Sequence, residues 1–215
     1  MTTWDERFRT GEYPRDPEPA PLLERYVDAL EPGRALDVAA GTGRNAVFLA
    51  DRGYTVDAVD RSREGLKITR QRARDRGVAD RLEPIRADVG SFDFPGETYD
   101  LITVSFYRAV DRLPDIKDAL VPDGVLFYEH HLRSPDPHEV GPSDDRYRFG
   151  ANELLHACLD LTVLAFEART ETRSEGRTAT TTRIVARNST GRTQRYPPVG
   201  IGEGTGPGDR SMTDR

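Results

Sequence analysis

Short apolar runs and amphipathic segments alternate along the middle of the chain. The apolar runs predict five strands, "GRALDVA", "TVDAVD", "LEPIRAD", "YDLITVSFY" and "VLFYEHH", at residues 33–39, 55–60, 82–88, 99–107 and 125–131. Helical spacing of apolar residues predicts intervening helices, at 20–30, 44–53, 62–77, 111–124 (helix, then turn) and 151–160. Strands that alternate with helices indicate a mainly parallel sheet with helices on both faces.

Two further strand patterns follow the fifth strand. They cover residues 161–170 and 177–188 and are joined by "ETRSEG", which predicts an antiparallel hairpin. We therefore predict an α/β fold, a Rossmann-like doubly wound sheet of seven strands with a C-terminal antiparallel hairpin, over residues 20–188. Residues 189–215 contain few apolar residues and are predicted to be a disordered tail.

The first 19 residues are polar and rich in proline, yet they contain Trp4, Phe8 and Tyr13. Large aromatic side chains are unfavourable on an exposed terminus, because each can bury roughly 200 Å² of surface. We expect residues 1–19 to form a lid segment, in which these three aromatic residues contribute to substrate binding.

Composition narrows the possible partners. The 215 residues carry a net charge of −6, with acidic and basic residues interspersed, so we expect no nucleic-acid partner. No apolar run approaches the roughly 18 residues that span a bilayer, and "MTTWDERFRT" lacks a signal-like apolar stretch. The single cysteine, Cys158, cannot form an internal disulfide, which fits a cytoplasmic protein. We expect no membrane partner, and a monomer or a homodimer.

Small residues mark the end of the first strand. Asp37 is followed by "VAAGTG", and the next helix begins near Arg44. Glycine and alanine let a backbone approach a ligand closely, and a helix start offers free N–H groups. The same residues would also suit a tight turn that serves packing alone.

Acidic residues end the next two strands. Asp60 lies 19 residues after Gly41 (60 − 41), a spacing that suits a carboxylate accepting hydrogen bonds from ribose hydroxyls. Asp88 follows the third strand and could accept from a purine amine. The structural alternatives are a helix-capping acid and a solvated loop acid.

Two enzyme classes fit a nucleoside ligand. Residues 41–46 satisfy G-x-G-x-x-A, which is compatible with an NAD(P)-dependent oxidoreductase. The acids Asp37 and Asp88 and the terminal hairpin favour an S-adenosylmethionine-dependent methyltransferase instead. A non-catalytic S-adenosylmethionine-binding module stays open as a third interpretation.

Ordered motifs then resemble class I methyltransferases over about residues 20–188. They are "LDVAAGTGR", "AVDRS", "ADV", "YDLITV" and "LVPDG", with Ala39 and Asp123 standing where that family usually has glycine. At Ala39 the side chain is small enough for the backbone to approach a ligand closely, provided that the φ of Ala39 is negative. The resemblance implies S-adenosyl-L-methionine as cofactor, bound by Asp37, Ala39, Gly41, Gly43, Arg44, Asn45, Asp60, Arg61, Asp88, Val89 and Ser105.

A narrower resemblance concerns the acceptor. "GTGRNAVFLADRGYTVDAVDRS", "YRFGANEL" and "WDERFRTGEYP" are similar to the tellurite-resistance and thiopurine methyltransferases. This implies a small-molecule methyl acceptor, such as a tellurium or selenium oxyanion or a thiol. A soft acceptor of this kind needs no general base, whereas an oxygen or nitrogen acceptor does.

Candidate residues for the acceptor leave the fourth and fifth strands. We expect Tyr107 to shape the pocket, Arg108 to hold an anion and His131 to face the site, since His130 and His131 point to opposite faces of a strand. Arg146 and Arg148 could clamp an anionic acceptor. These residues could instead serve packing in the case of Tyr107 and His131, or carry solvated charge in the case of the arginines. Because no His, Cys, Asp or Glu group has ligand spacing, we expect no metal.

Overall fold

A seven-stranded sheet forms the centre of the computed structural model, which describes residues 3–135, 140–172, 176–189, 193, 194 and 196. The strands are β1 (Arg34–Val38), β2 (Thr55–Asp60), β3 (Leu82–Arg86), β4 (Tyr99–Ser105), β5 (Leu120–His131), β6 (Thr162–Thr172) and β7 (Thr178–Arg187). Their order is β3-β2-β1-β4-β5-β7-β6, and of these seven strands β7 alone runs opposite to the others. The predicted fold class is therefore confirmed.

Within the described part of the chain, six α-helices connect or flank the strands. They are α1 (Trp4–Thr10), α2 (Pro21–Tyr26), α3 (Arg44–Asp51), α4 (Arg63–Asp75), α5 (Leu113–Asp118) and α6 (Glu153–Ala157). Short 3₁₀ turns cover Val27–Ala29, Ala79–Arg81, Val110–Arg112 and Asp145–Tyr147. The helix predicted over 20–30 thus ends earlier, at Tyr26, and continues as a 3₁₀ turn.

Alternation along β5 shows how the sheet is covered on both faces. Val125 and Phe127 pack in one core with residues of α2 and α3, while Leu126 and Tyr128 pack in the other with residues of α5 and α6. Side chains of successive strand residues point to opposite faces, so an unbroken apolar run is what a doubly covered strand requires.

The turn predicted before the fifth strand belongs to the strand itself. β5 already begins at Leu120, and Asp123 adopts φ +65° while its N–H donates to the carbonyl of Asn188 at 2.6 Å. The pairing with β4 shifts register between Tyr99 and Leu101. Pairing with neighbouring strands therefore continues through "LVPDG", which local sequence alone marks as a turn.

The chain order places the candidate site at one edge of the sheet. β1 lies between β2 and β4, so the connections on its two sides run in opposite directions, and ligands bind at such a switch point beyond the carboxyl ends of the strands.

Among the described residues, no helix is long and apolar enough to cross a membrane. The tail predicted to be disordered lies almost entirely outside the described residues.

Candidate functional site

The loop between β1 and α3 follows a left-handed path. Ala39, Gly41 and Gly43 have φ values of +57°, +57° and +76°. A Cβ on Gly43 would lie 2.6 Å from the side chain of Thr69, whose hydroxyl donates to the carbonyl of Gly41 at 3.1 Å. Glycine at position 43 is therefore required both by backbone conformation and by the close approach of α4.

Ala39 corrects one expectation. Close backbone approach at this position was expected on the condition of a negative φ, but the turn out of β1 demands a left-handed residue. An L-amino acid with a Cβ pays roughly 1–2 kcal/mol for that conformation. Ala39 thus occupies a position whose backbone suits glycine, and the loop holds it there at a cost in stability.

Asp37 is buried at the end of β1. Its carboxylate accepts hydrogen bonds from the Thr103 hydroxyl at 2.8 Å and from the Ala46 N–H at 2.9 Å. Burial raises the pKa of Asp37 to about 7, although these two hydrogen bonds act in the opposite direction. The Asp37 side chain thus connects β1 to β4 and to the first turn of α3. Asp37 lies beside the loop as predicted, and its hydrogen bonds there hold these elements together.

Asp60 ends β2 with both carboxylate oxygens facing backbone donors. One oxygen accepts from the Gly41 N–H at 2.8 Å and the other from the Ser62 N–H at 2.7 Å. Burial raises the pKa of Asp60, and the two backbone hydrogen bonds lower it. Each carboxylate oxygen has a further lone pair, so the carboxylate retains the capacity to accept from two ribose hydroxyls.

The end of β3 supplies an exposed acid beside a buried apolar residue. Asp88 accepts from the Gly90 N–H at 2.9 Å, and Val89 is buried. Arg112 holds this loop by donating to the carbonyls of Val89 and Gly90 at 2.9 and 2.5 Å. Arg61 lies exposed after β2.

Three other predicted cofactor residues bind one another or Glu129, a residue that was not among the predicted site residues. Asn45 donates to the Ser105 hydroxyl at 2.9 Å, and Ser105 donates to Glu129 at 3.1 Å. Arg44 pairs with Glu129 at 2.6 Å. Glu129 is 3% exposed and also accepts from Arg183 at 3.2 Å. A charged residue inside the apolar run "VLFYEHH" was the available sequence signal.

An aromatic stack lies at the carboxyl ends of β4 and β5. Phe106 adopts φ +55°, and its ring stacks on His131 with centroids 4.8 Å apart. The Arg44 guanidinium lies 5.4 Å from the Phe106 centroid. Tyr107 follows, half-buried, and burial raises its pKa. Strained residues of this kind cluster at functional sites, so the stack marks one end of the candidate site.

The two histidines have different surroundings. Burial lowers the pKa of His130 to about 4, and its Nδ1 accepts the His131 N–H at 2.8 Å. The His130 ring packs edge-on against Phe149, whereas the His131 ring lies between Phe106 and Gly141. His130 is therefore neutral at physiological pH, and His131 is the histidine beside the stack.

The arginines expected to hold an anion have protein partners. Arg108 pairs with Glu153, and the exposed Arg146 pairs with Asp144 at 2.9 Å. Arg148 is buried, and its guanidinium donates to three backbone carbonyls. These carbonyls are those of Leu132, Val140 and Pro142, at 3.0, 2.8 and 2.8 Å. Arg146 and Arg148 thus do not converge as the expected clamp, because Arg148 fixes the loop after β5.

The N-terminal aromatic residues gather against the glycine loop. Trp4, Phe8 and Tyr13 form a cluster with ring centroids 5.4–5.7 Å apart. Phe8 is buried, and its ring would lie 3.2 Å from a Cβ on Gly41 and 3.1 Å from one on Gly65. The N-terminal segment therefore borders the candidate site, while Trp4 and Tyr13 stay partly exposed.

Comparisons with known proteins agree with this architecture. Residues 35–124, less than half of the chain, match the family described as Methyltransferase domain. A ubiquinone/menaquinone biosynthesis C-methyltransferase UbiE of Azotobacter vinelandii is 32% identical over 124 residues, which are 54% of this chain and 49% of that protein. The chain spans between about a third and half of the length of the curated relatives it matches.

Solved structures share the fold at low identity. TehB from Haemophilus influenzae aligns with a TM-score of 0.63 and 20% identity, over 75% of this chain and 60% of that one. Coclaurine N-methyltransferase bound to N-methylheliamine and SAH aligns with a TM-score of 0.60 and 16% identity, over 77% and 70% of the two chains. These likenesses concern the fold alone.

Ala39→Gly is expected to stabilise the protein by about 0.5–1 kcal/mol, because relief of the left-handed penalty exceeds the added entropy of the unfolded chain. Ala40→Gly is the matched control: Ala40 does not have a positive φ, and its methyl is buried. That variant should be destabilised. Urea unfolding measures both, and a loss of stability in Ala39→Gly would contradict the assignment of strain.

Asp37 is expected to make stability depend on pH. Its folded-state pKa of about 7 lies above the ordinary 3.8, so the folded state keeps a proton that the unfolded state releases. This contribution is full below about pH 4 and is lost as the pH rises through about 7, by at most about 1.4 kcal/mol per pH unit. In urea unfolding from pH 5 to 8, wild type should lose stability relative to Asp37→Asn; a constant difference would contradict this.

Proposed function

We propose that this chain, which contains a class I methyltransferase domain, binds S-adenosyl-L-methionine and transfers its methyl group to a small-molecule acceptor. The predicted domain class agrees with the family match over residues 35–124 and with the seven-stranded fold. The observation that carries the proposal is Asp60, a buried carboxylate that ends β2 beside a left-handed glycine loop. The family match favours this activity over an NAD(P)-dependent oxidoreductase.

The strand ends fit the parts of the cofactor. Asp60 would accept both ribose hydroxyls, and Asp88 would accept from the purine amine with Val89 as apolar contact. The loop from Ala39 to Gly43 would approach the cofactor with its backbone. These positions lie on β1, β2 and β3, which are adjacent in the sheet, so one extended nucleoside can reach all of them.

Bound S-adenosylmethionine supplies an electrophilic sulfonium methyl. The protein's part is to position the acceptor and exclude water, for which Phe106, Tyr107 and His131 are placed at the ends of β4 and β5. His131 is the histidine placed to act if an acceptor needs a base, because the His130 ring packs against Phe149 instead. A soft acceptor such as a thiol would need no such base.

Charge around the stack bears on the choice of acceptor. Arg44 and Arg108 are each paired with a glutamate, and Arg148 donates to carbonyls. Arginines already bound to protein groups offer less to an oxyanion, which supports a thiol over tellurite or selenite. Flat aromatic surface beside Phe106 favours a quinone-like ring as the second candidate, and curated relatives are named quinone methyltransferases.

The N-terminal segment, residues 1–19, would close the site as a lid. Contact of Phe8 with Gly41 supports this role, because it brings the aromatic cluster to the cofactor loop. Cytoplasmic location and a monomeric or homodimeric state stay predictions.

Asp60→Asn should weaken S-adenosylmethionine binding by roughly 30- to 150-fold, equivalent to the 2–3 kcal/mol of hydrogen bonds to a charged acceptor. An amide has one oxygen, so it cannot accept from both backbone N–H groups and both ribose hydroxyls. Asp51→Asn, an exposed acid at the end of α3, is the control with the same charge change. Calorimetry measures both affinities, and equal affinities in folded variants would contradict the cofactor site.

Acceptor chemistry is tested with methyl-labelled S-adenosylmethionine and a panel of thiols, quinols, tellurite and selenite, with mass detection of products that includes volatile ones. We expect methylated thiol or quinol to exceed methylated oxyanion, because the described arginines near the stack are paired. Faster turnover of tellurite would reverse this order. Cofactor binding without any turnover would instead favour the non-catalytic binding module.

A further inference from the structure

We propose that Asp5, on the N-terminal helix, is a positioning residue for the ribose-binding carboxylate of Asp60. Docking of α1 and binding of the cofactor would then be thermodynamically linked. The inference rests on the proposed function for the identity of the ligand, but the docking of α1 can be measured without any ligand.

Asp60 is oriented by two backbone donors that come from different parts of the chain. The Gly41 N–H belongs to the loop after β1, and the Ser62 N–H belongs to the start of α4. A carboxylate held between two N–H groups keeps its orientation only while both segments stay in place. The position of the ribose acceptor therefore depends on what holds the two segments.

Helix α1 contacts both of these segments. The Asp5 carboxylate accepts from the Ser62 hydroxyl at 2.5 Å and from the Glu64 N–H at 3.1 Å. On the next turn of α1, the Phe8 ring lies against Gly41 and Gly65. One short helix thus supports each of the two donors that orient Asp60.

The contact of Asp5 with Ser62 also organises the start of α4. The Ser62 hydroxyl accepts the Gly65 N–H at 3.0 Å while it donates its own hydrogen to Asp5. Asp5 accepts a further N–H of the first turn, from Glu64, which otherwise has no acceptor within the helix. Without the Asp5 carboxylate, the Ser62 hydroxyl and the Glu64 N–H would lose their protein acceptor. The segment that carries the Ser62 N–H would then be held less firmly.

Linkage makes the effect reciprocal. If docked α1 favours the orientation of Asp60 that binds ribose, then a ligand on Asp60 must favour docked α1 by the same factor. The chain has a single tryptophan, Trp4, which adjoins Asp5 and packs on Phe8 and Tyr13. Its fluorescence therefore reports α1 docking without any added label.

The experiment compares Asp5→Asn with Glu6→Gln. Both variants remove one negative charge from the first turn of α1, but the Glu6 side chain is exposed and outside the Ser62 contact. Asp5→Asn should bind S-adenosylhomocysteine about tenfold more weakly by calorimetry, the usual effect of one hydrogen bond to a charged group. Glu6→Gln should bind as wild type does, and melting temperatures check that both remain folded.

Two further readouts separate positioning from general stability. S-adenosylhomocysteine should reduce acrylamide quenching of Trp4 in wild type and Glu6→Gln, and should do so less in Asp5→Asn. In the Asp60→Asn background, Asp5→Asn should cost less than twofold in affinity, because the group through which it acts is already altered.

The proposal is overturned by wild-type affinity in folded Asp5→Asn, by equal losses in the two variants, or by additive losses with Asp60→Asn. Wild type that binds neither S-adenosylmethionine nor S-adenosylhomocysteine contradicts the proposed function itself. In that case, acrylamide quenching of Trp4 in the ligand-free proteins still tests whether Asp5 docks α1. Equal quenching of Asp5→Asn and wild type would contradict that role. Should Asp5→Asn fail to fold, Asp5→Ser repeats the comparison.

Discussion

The hydrogen bonds that Asp60 accepts from Gly41 and Ser62 join the parts of the candidate site. They connect the end of β2 to the loop after β1 and to the start of α4. A buried carboxylate is costly unless its oxygens are satisfied, and these two donors oppose the burial that raises the pKa of Asp60. Ala39, Gly41 and Gly43 have positive φ values along the loop from which the Gly41 N–H reaches this carboxylate.

A second set of buried charges organises the opposite side of the site. Glu129 accepts from Arg44, Ser105 and Arg183, which belong to α3, β4 and β7. Breaking a buried pair by removal of one partner typically costs about 3–5 kcal/mol, so the four residues depend on one another. Because Arg44 also lies over the Phe106 ring, this network supports the aromatic stack that is proposed to contact the acceptor.

The N-terminal segment connects these two sides. Arg44 donates to the carbonyls of Glu18 and Pro19, and the Ala20 N–H donates to Asn45. At its other end the segment reaches the start of α4 through Asp5. Residues 4–20 thus run along the loop of residues 39–43 with contacts at both ends, which is how a polar segment with three aromatic residues becomes part of a structured domain.

Much of the fold followed from local sequence patterns. Apolar runs with helical segments between them predicted the seven strands and the C-terminal hairpin, since a doubly covered sheet needs strands that are apolar on both faces. The positions of Asp37, Asp60 and Asp88 at strand ends followed too, because the carboxyl ends of parallel strands share one edge. Strand pairing through "LVPDG" could not be predicted, because it depends on contacts with β4 and with Asn188.

By itself, the sequence determined the class of fold and placed the candidate site residues at strand ends, since both depend on periodicity and spacing. Only the tertiary structure decided how those residues are used. The φ of Ala39, the engagement of Arg148 with three carbonyls and the Glu129 network all depend on partners distant in sequence. The sequence pattern indicates which hydrogen-bonding groups are present. Tertiary packing determines which of them pair, because it brings particular donors and acceptors within hydrogen-bonding distance.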